Sequence, residues 1–287
     1  RNGTSQNIAE AVEKLQEADG IVFATPVYFG VGSSLIYEFL EFCKEHNVSL
    51  YGKVVGFAVV GAKRNGGEET TIAWLAWEVM DLGALVVNDG APVSQFGGVG
   101  VAGTWGQMKY DREGLETCKN LGKRVAETAL ILKSGNLETE PNIRTWVMSG
   151  SSPEENALNL FEMNFHRCWG CEICPSPSKT AKGMDFKCRN EKDDMHKVHP
   201  SLVSSEGIVP VGWNMRFLER TRYLRRDNYR LTYSVVLLPQ IRYLPIFIKE
   251  NSMLCRRHFR KYASLVKSGK ERVGLTTQKY EPVGYTS

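Results

Sequence analysis

Strand, polar turn, helix: this succession recurs along residues 7–133 and limits the possible folds more than any other feature of the chain. Its clearest instance is GFAVVGAKRNGGEETTIAWLAWEVM, residues 56–80. There an apolar run gives way, through Lys63, Arg64, Asn65, Gly66 and Gly67, to apolar positions at helical spacing. On the same reasoning residues 7–15 form a helix, 20–25 a buried strand, 53–60 a strand, 70–81 an amphipathic helix and 84–87 a strand. Leu35, Ile36, Phe39, Leu40 and Cys43 mark one helix face. In a long helix over 113–133, Leu115, Val125, Ala129 and Leu132 can face inward. Apolar strands alternating with helices predict a parallel sheet covered on both faces, a doubly wound α/β architecture.

The 287 residues leave room for two domains. Ser134, Gly135, Asn136 and Pro141 read as a linker, dividing the chain into 1–135 and 141–287. The second part opens with a strand at 143–148 and a polar turn at 149–154, and it has a strand-like stretch at 232–238 and a turn-rich tail from 274. SSEGIVPVGWN (204–214) echoes EADGIVFATPVYFG (17–30), and NMRFLERT (214–221) echoes IYEFLEF (36–42). The two parts are therefore distant copies of one unit, or similar by chance.

No apolar run approaches the roughly 20 residues that span a bilayer, and no secretory pattern is visible. The chain opens at Arg1 inside what reads as a functional loop, so preceding residues are expected. Clustered cysteines without a signal peptide point to a reducing, cytoplasmic setting. The net charge of +4 is unevenly spread: Arg220, Arg222, Arg225, Arg226, Arg230, Arg256, Arg257, Arg260 and Lys261 face few acids. Such a field favours nucleotide phosphates, an acidic redox protein or nucleic acid, or is simply a solvated face. FLERTRYLRRDNYR interleaves Arg with aromatic rings, which can stack on bases, but pairing with acidic residues of a neighbouring subunit is the plainer reading.

In an open parallel sheet, ligands bind beyond the carboxyl ends of the strands. Three loops are placed there. Arg1, Asn2, Gly3, Thr4, Ser5, Gln6 and Asn7 lead into a helix and make a phosphate cradle. In the second loop, Thr25 to Ser34, Pro26 stiffens the turn, Tyr28 and Phe29 offer aromatic surface, and the glycines admit a flat ligand. In the third, Gly66 and Gly67 let main-chain amides reach ring carbonyls. Taken singly, each is also an ordinary cap or turn. Together, RNGTSQN, ADGIVFATPVYFG, GAKRNGGEET and DREGLETCKNLGKRVAE resemble the flavodoxin-like family of NAD(P)H-dependent FMN reductases and iron–sulfur flavoproteins, over nearly all of residues 1–133. The resemblance implies FMN with its phosphate on Arg1, Asn2, Gly3, Thr4, Ser5 and Asn7. Its ring would lie against Thr25, Pro26, Val27, Tyr28, Phe29 and Gly30, and against Asn65, Gly66, Gly67 and Glu68, with the glycine pair keeping side chains clear of it. It also implies a homo-oligomer. Such proteins carry further strands before the first and second loops; here only a short helix separates the two.

CWGCEICP sets Cys168, Cys171 and Cys174 at intervals of three, with Cys188 further along; Cys43, Cys118 and Cys255 are isolated. Such a trio can wrap one side of an iron–sulfide cube while a distant cysteine closes the fourth corner. Tetrahedral zinc and no metal are the alternatives. CWGCEIC with FKCRNEKDDM resembles the cysteine loop of iron–sulfur flavoproteins, through Asp193, Asp194 and Met195, and implies a [4Fe–4S] cluster on the four thiolates. His166, His196 and His199 read as solvent-exposed residues or alternative ligands. Trp74, Trp77 and Trp105 are expected in the core or at the flavin rim, and Cys43 and Cys118 as inert core thiols. Where the first half has TPVYFGVGSS, the second has Val211, Gly212, Trp213 and Asn214, with no counterpart of Gly66 and Gly67. It is expected to be a degenerate flavodoxin-like half carrying the cysteines and the basic surface, without its own FMN.

No nucleophile–base pair stands out. The reading is a redox flavoprotein moving electrons between a reduced donor (NAD(P)H or an acidic, ferredoxin-like protein), FMN and the cluster. The rivals are a non-catalytic electron-transfer subunit of a larger complex and a zinc-stabilised binding module. Neither nucleic acid nor a membrane is an expected partner.

Overall fold

Val54–Gly61 (β2) is buried along almost its whole length and hydrogen-bonds to every other strand of the first unit. The computed structural model describes residues 2–90, 96–135, 138, 143–148, 157–171, 174, 188–204, 207–211 and 214–220. These fall into two compact units, the first ending at Lys133 and the second starting at Ser134.

In the first unit β1 (Gly20–Pro26) lies parallel to β2, in register from Gly20 opposite Val54 to Pro26 opposite Val60. The other side of β2 is shared by two short strands, both parallel to it. β3 (Leu85–Val86) pairs with Val54 and Val55, and β4 (Gly98–Val101) pairs with residues 58–61. β4 is not foreseen from the sequence, because Gly-Val-Gly-Val lacks the side-chain mass that marks a strand. Its glycines let α4 (Arg112–Ser134) and the 3-10 turn at Gln107–Tyr110 press close.

Helices lie on both faces. Phe23 of β1 stacks on Phe57 of β2 and meets Phe39 of α2 (Ser34–Glu45), with ring centroids 6.1 and 6.3 Å apart. Successive strand residues point to opposite faces, and Gly56, beside Phe57, faces α4. A β-carbon there would fall 2.6 Å from Leu121 and 3.0 Å from Val125, so only glycine admits the helix. The inward stripe of α4 is Gly114, Thr117, Leu121, Arg124, Val125, Thr128, Ala129, Ile131 and Leu132. Leu115, expected inside, is 45% exposed, because its neighbour Gly114 takes the inward place against Gly100. α3 (Glu68–Asp81) runs along β2 and buries Ile72, Leu75, Ala76 and Val79. The helix expected at 7–15 is longer, α1 (Asn2–Glu17), and Lys53 Nζ donates to the carbonyls of Gln16 and Ala18 at its end.

The second unit has a parallel sheet of order β6-β5-β7: β5 (Ile143–Val147), β6 (Leu158–Asn159) and β7 (Gly207–Val211). α5 (Met195–Ser204) lies between β6 and β7 in the chain, and α6 (Met215–Arg220) follows β7. Its core is Trp146, Met148, Leu160, Phe165, Met195, Val198, Leu202 and Phe217, with Trp146 edge-on to Phe217 at 5.3 Å. The expected turn at 149–154, the strand at 232–238 and the tail lie outside the described residues, as do Arg1, Cys255 and the basic residues beyond Arg220. Among the described residues no helix is long and apolar enough to cross a membrane.

Candidate functional site

The carboxyl edge of the first sheet is built from two turns that meet. After β1, Tyr28 and Val31 exchange backbone hydrogen bonds of 2.7 and 3.1 Å around Phe29 and Gly30. Both central residues have positive φ, 51° and 81°, the signature of a type I′ turn. Glycine tolerates this conformation; phenylalanine does not favour it. Yet Phe29 stands at the tip, fully exposed (107%), with Tyr28 also exposed beside it. Thr25 is buried and anchors the loop: its hydroxyl accepts the Ser33 N–H at 2.9 Å and donates to the Pro26 carbonyl at 3.1 Å. Pro26 ends β1, and the Val27 N–H extends the β1–β2 pairing to Val60 O at 2.9 Å.

After β2, Gly66 N–H closes a turn on Lys63 O at 3.1 Å, with Asn65 at φ 55°. Gly67 then caps α3 at φ 111°, and no side chain caps this helix. A β-carbon on Gly67 would fall 2.7 Å from the Gly30 α-carbon and 2.9 Å from its nitrogen. The glycine pair thus has a job the sequence did not disclose. Gly67 lets the two rim turns touch, and Gly66 avoids the Lys63 carbonyl, 2.7 Å from where its β-carbon would stand.

The third turn is tied down from below. Arg64 pairs with Asp111 and donates to Val99 O at 3.3 Å. Asp111 also accepts the N–H groups of Val101 (2.7 Å) and Gly114 (3.0 Å), capping α4. Burial would raise the Asp111 carboxyl, but these two amides and the guanidinium outweigh it and hold it below its ordinary value. Sequence reading missed this link, although Asp111 three residues before Gly114 at a helix start is a cap signature. Glu68, the first residue of α3, is 1% exposed, and its Oε2 has no hydrogen-bond partner among the described residues.

The first predicted loop is not a loop. Asn2, Gly3, Thr4, Ser5 and Asn7 form the opening turns of α1, since helix begins at Asn2; Arg1 lies outside the described residues. Trp105 is fully exposed and Trp74 half-exposed, so neither is core. Cys43 is buried and its thiol pushed up to about 11 by burial; burial raises Cys118 as well.

In the second unit the cysteines are free and half-buried. Sγ of Cys168 accepts the Gly170 N–H and Sγ of Cys188 the Asn190 N–H, each at 3.4 Å, and Arg220 Nη2 donates to Cys188 Sγ at 3.1 Å. Arg220 is itself buried. It pairs with Asp193 and donates to the carbonyls of His166 (3.2 Å) and Asn190 (3.3 Å). It therefore does not belong to a solvated basic face. Asp193 further accepts the N–H groups of His166 and Met195, at 3.0 and 3.1 Å. His199, expected in solvent, is buried in α5, and burial lowers it to about 4; His166 is half-buried against Asn190. Among the described residues no three His, Cys, Asp or Glu side chains gather as a metal site.

A parallel α/β sheet with touching glycine turns at its carboxyl edge places the first unit among proteins that hold a ligand beyond their strand ends. Residues 1–98 match the sequence model of the NADPH-dependent FMN reductases. The chain is 40% identical over 129 residues to an iron–sulfur flavoprotein of Methanocaldococcus jannaschii, covering 44% of this chain and 67% of that one. It is 31% identical over 127 residues to an iron–sulfur flavoprotein of Methanosarcina thermophila (43% and 63%) and 31% over 139 residues to one of Archaeoglobus fulgidus (45% and 68%). It thus spans 63% to 68% of the length of these relatives. The chain belongs to the NADPH-dependent FMN reductase and iron–sulfur flavoprotein family, a family of oxidoreductases.

Proposed function

We propose that the first unit binds FMN at the carboxyl edge of its sheet and works as a redox flavoprotein, taking electrons from NAD(P)H or a reduced acidic carrier protein. One observation carries this reading. The Tyr28–Val31 and Lys63–Gly67 turns touch without a side chain between them, beside a helix start that no side chain caps. Those features suit a flat ligand that brings its own hydrogen-bonding groups. Tyr28, Phe29, Gly30, Asn65, Gly66, Gly67 and Glu68 would border the ring. Thr25, Pro26 and Val27 would hold the second loop, and Asn2 to Asn7 at the start of α1, with Arg1, would take the phosphate. Bound flavin supplies hydride and single-electron chemistry. The chain's own part is to fix the ring, shield one edge of it from water and offer main-chain donors.

In the second unit Cys168, Cys171, Cys174 and Cys188 are proposed as the residues that would hold a [4Fe–4S] cluster, which would supply one-electron chemistry there. Supporting this are four reduced thiols and N–H groups directed at two of the sulfurs. Among the described residues these side chains form no closed cage. The order β5, α5, β7, α6 with parallel β5–β7 pairing favours a degenerate flavodoxin-like copy. A cytoplasmic homo-oligomer completes the proposal.

The test is anaerobic purification followed by FMN, iron and sulfide counts per chain and NAD(P)H oxidation. About one FMN per chain with turnover supports the reading. Flavin uptake without turnover leaves an electron-transfer subunit, and no uptake on titration defeats the flavin site.

A further inference from the structure

The chain entering the cysteine loop and the chain leaving it are laced together. Asn164 N–H donates to the Asp194 carboxylate at 2.8 Å, and Asp194 N–H donates back to Asn164 O at 3.0 Å. His166 is held twice, its N–H by Asp193 and its ring by Asn190, each at 3.0 Å. Two adjacent residues at the end of α6 complete the seam. Glu219 accepts the Cys168 N–H at 3.2 Å. Arg220 pairs with Asp193, bonds the carbonyls of His166 and Asn190, and reaches Cys188 Sγ at 3.1 Å. Burying a guanidinium is costly unless it is fully paired, so its place here calls for a reason. The donor set at the seam supplies one. The candidate ligands are thiols, N–H groups point at two of the sulfurs, and the side-chain nitrogen of Asn190 is buried with no partner among the described residues. A sulfur-rich anionic group suits such donors.

We propose that Glu219 and Arg220 are positioning residues for the cysteine loop: Glu219 fixes its first cysteine, Cys168, and Arg220 its last, Cys188, so that both are set in place before any metal arrives. The inference rests on the cluster reading above for what fills the loop, and goes beyond it in assigning what holds the loop. Arginine suits the task because its rigid fork of five donors reaches a carboxylate, two carbonyls and a sulfur at once; a lysine ammonium has three donors and no fork. Arg220 has a second consequence. A positive charge and an N–H donor at a ligand sulfur favour the more negative, reduced state of a bound cluster and so raise its potential. A residue that only packed the loop would not have that effect.

The experiment uses the full chain, first free of iron. Hydrogen–deuterium exchange of wild type should find the amides of His166, Cys168 and Asp194 protected. Glu219→Ala should speed exchange at Cys168 at least tenfold, while Glu219→Gln, whose amide oxygen accepts the same bond, stays near wild type. The chain is then reconstituted anaerobically with ferrous iron and sulfide, and the potential is read by electron paramagnetic resonance in wild type and Arg220→Gln. Melting curves establish that each variant folds. Iron-loaded Arg220→Gln is expected to be at least tenfold harder to reduce, a downward shift of about 59 mV for one electron. Loss of iron uptake by folded Arg220→Gln would equally support the assignment. Freely exchanging amides in iron-free wild type, unchanged Cys168 exchange in Glu219→Ala, or Arg220→Gln with wild-type iron content and potential would overturn the proposal while leaving the cluster reading intact. Should Arg220→Gln fail to fold, the exchange data on wild type and Glu219→Ala decide. Wild type that takes up no iron would bring down the cluster reading, and the same exchange data would still decide the proposal.

Discussion

Arg64 in the third rim turn and Asp111 before α4, 47 residues apart, form an ion pair that fixes a loop at the sheet's edge to the start of a helix. Asp111 at the same time caps that helix and binds β4, so one carboxylate holds three segments. Its depressed ionisation gives the sign of a pH effect. The stabilisation is present above the ordinary carboxyl value of 3.8 and is lost as pH falls through the lower folded value. Asp111→Asn should cost about 1–2 kcal/mol near neutrality. Melting curves of wild type and variant should converge below roughly pH 4. A gap unchanged in acid would contradict the charge-based account.

Gly67→Ala places a β-carbon against the Gly30 backbone at a φ of 111°. It is expected to destabilise by about 2–3 kcal/mol, and to weaken FMN binding. Gly52→Ala is the control: its φ is 85°, but nothing lies within 4 Å of the new carbon. It should cost only the backbone strain, about 1–2 kcal/mol, and leave flavin titrations unchanged.

Phe29→Asn would create the Asn-Gly pair that a type I′ turn prefers. Removing a left-handed, fully exposed phenylalanine should raise stability by up to about 1 kcal/mol. The same change should weaken FMN binding if the ring borders the flavin. A variant that is more stable and binds equally well would remove Phe29 from the site.

Arg220→Met leaves Asp193 buried without its guanidinium and should cost about 3–5 kcal/mol in the second unit. Adding Asp193→Leu should recover much of the loss. In the single variant Cys188 also loses the guanidinium beside its sulfur, so its alkylation, followed by mass spectrometry, should slow relative to wild type. Cys43, buried with its thiol at about 11, should stay unlabelled at pH 8 in both proteins.

His199 is lowered to about 4 by burial. Its neutral form is the one that folds, so its contribution is complete above its ordinary 6.5 and erodes as pH drops from there toward 4. Replacement by Gln should flatten the pH dependence of second-unit melting across that window.

The periodicity of the chain made the sheet of the first unit legible. Continuous apolar strands have one dominant reading when helices flank them, and β1, β2 and α3 fall within two residues of expectation. The glycine strand β4 carried no apolar signal, and Leu115 misled because Gly114 presses on Gly100, which no helical wheel encodes. At the rim, the residues in the two turns could be named, but the contact of Gly67 with Gly30 depends on how two loops are folded. Arg220 was the furthest from view. Within a run of arginines it reads as surface charge, and it is the Asp193 carboxylate, 27 residues upstream, together with the carbonyls of His166 and Asn190, that holds it in the interior.

Because β2 has neighbours along both flanks, β1 on one side and β3 then β4 on the other, its amides should be the last in the first unit to exchange with deuterium. Fluctuations that part the two rim turns need break none of these ladder bonds. Parting the turns would leave the floor beneath them closed to solvent.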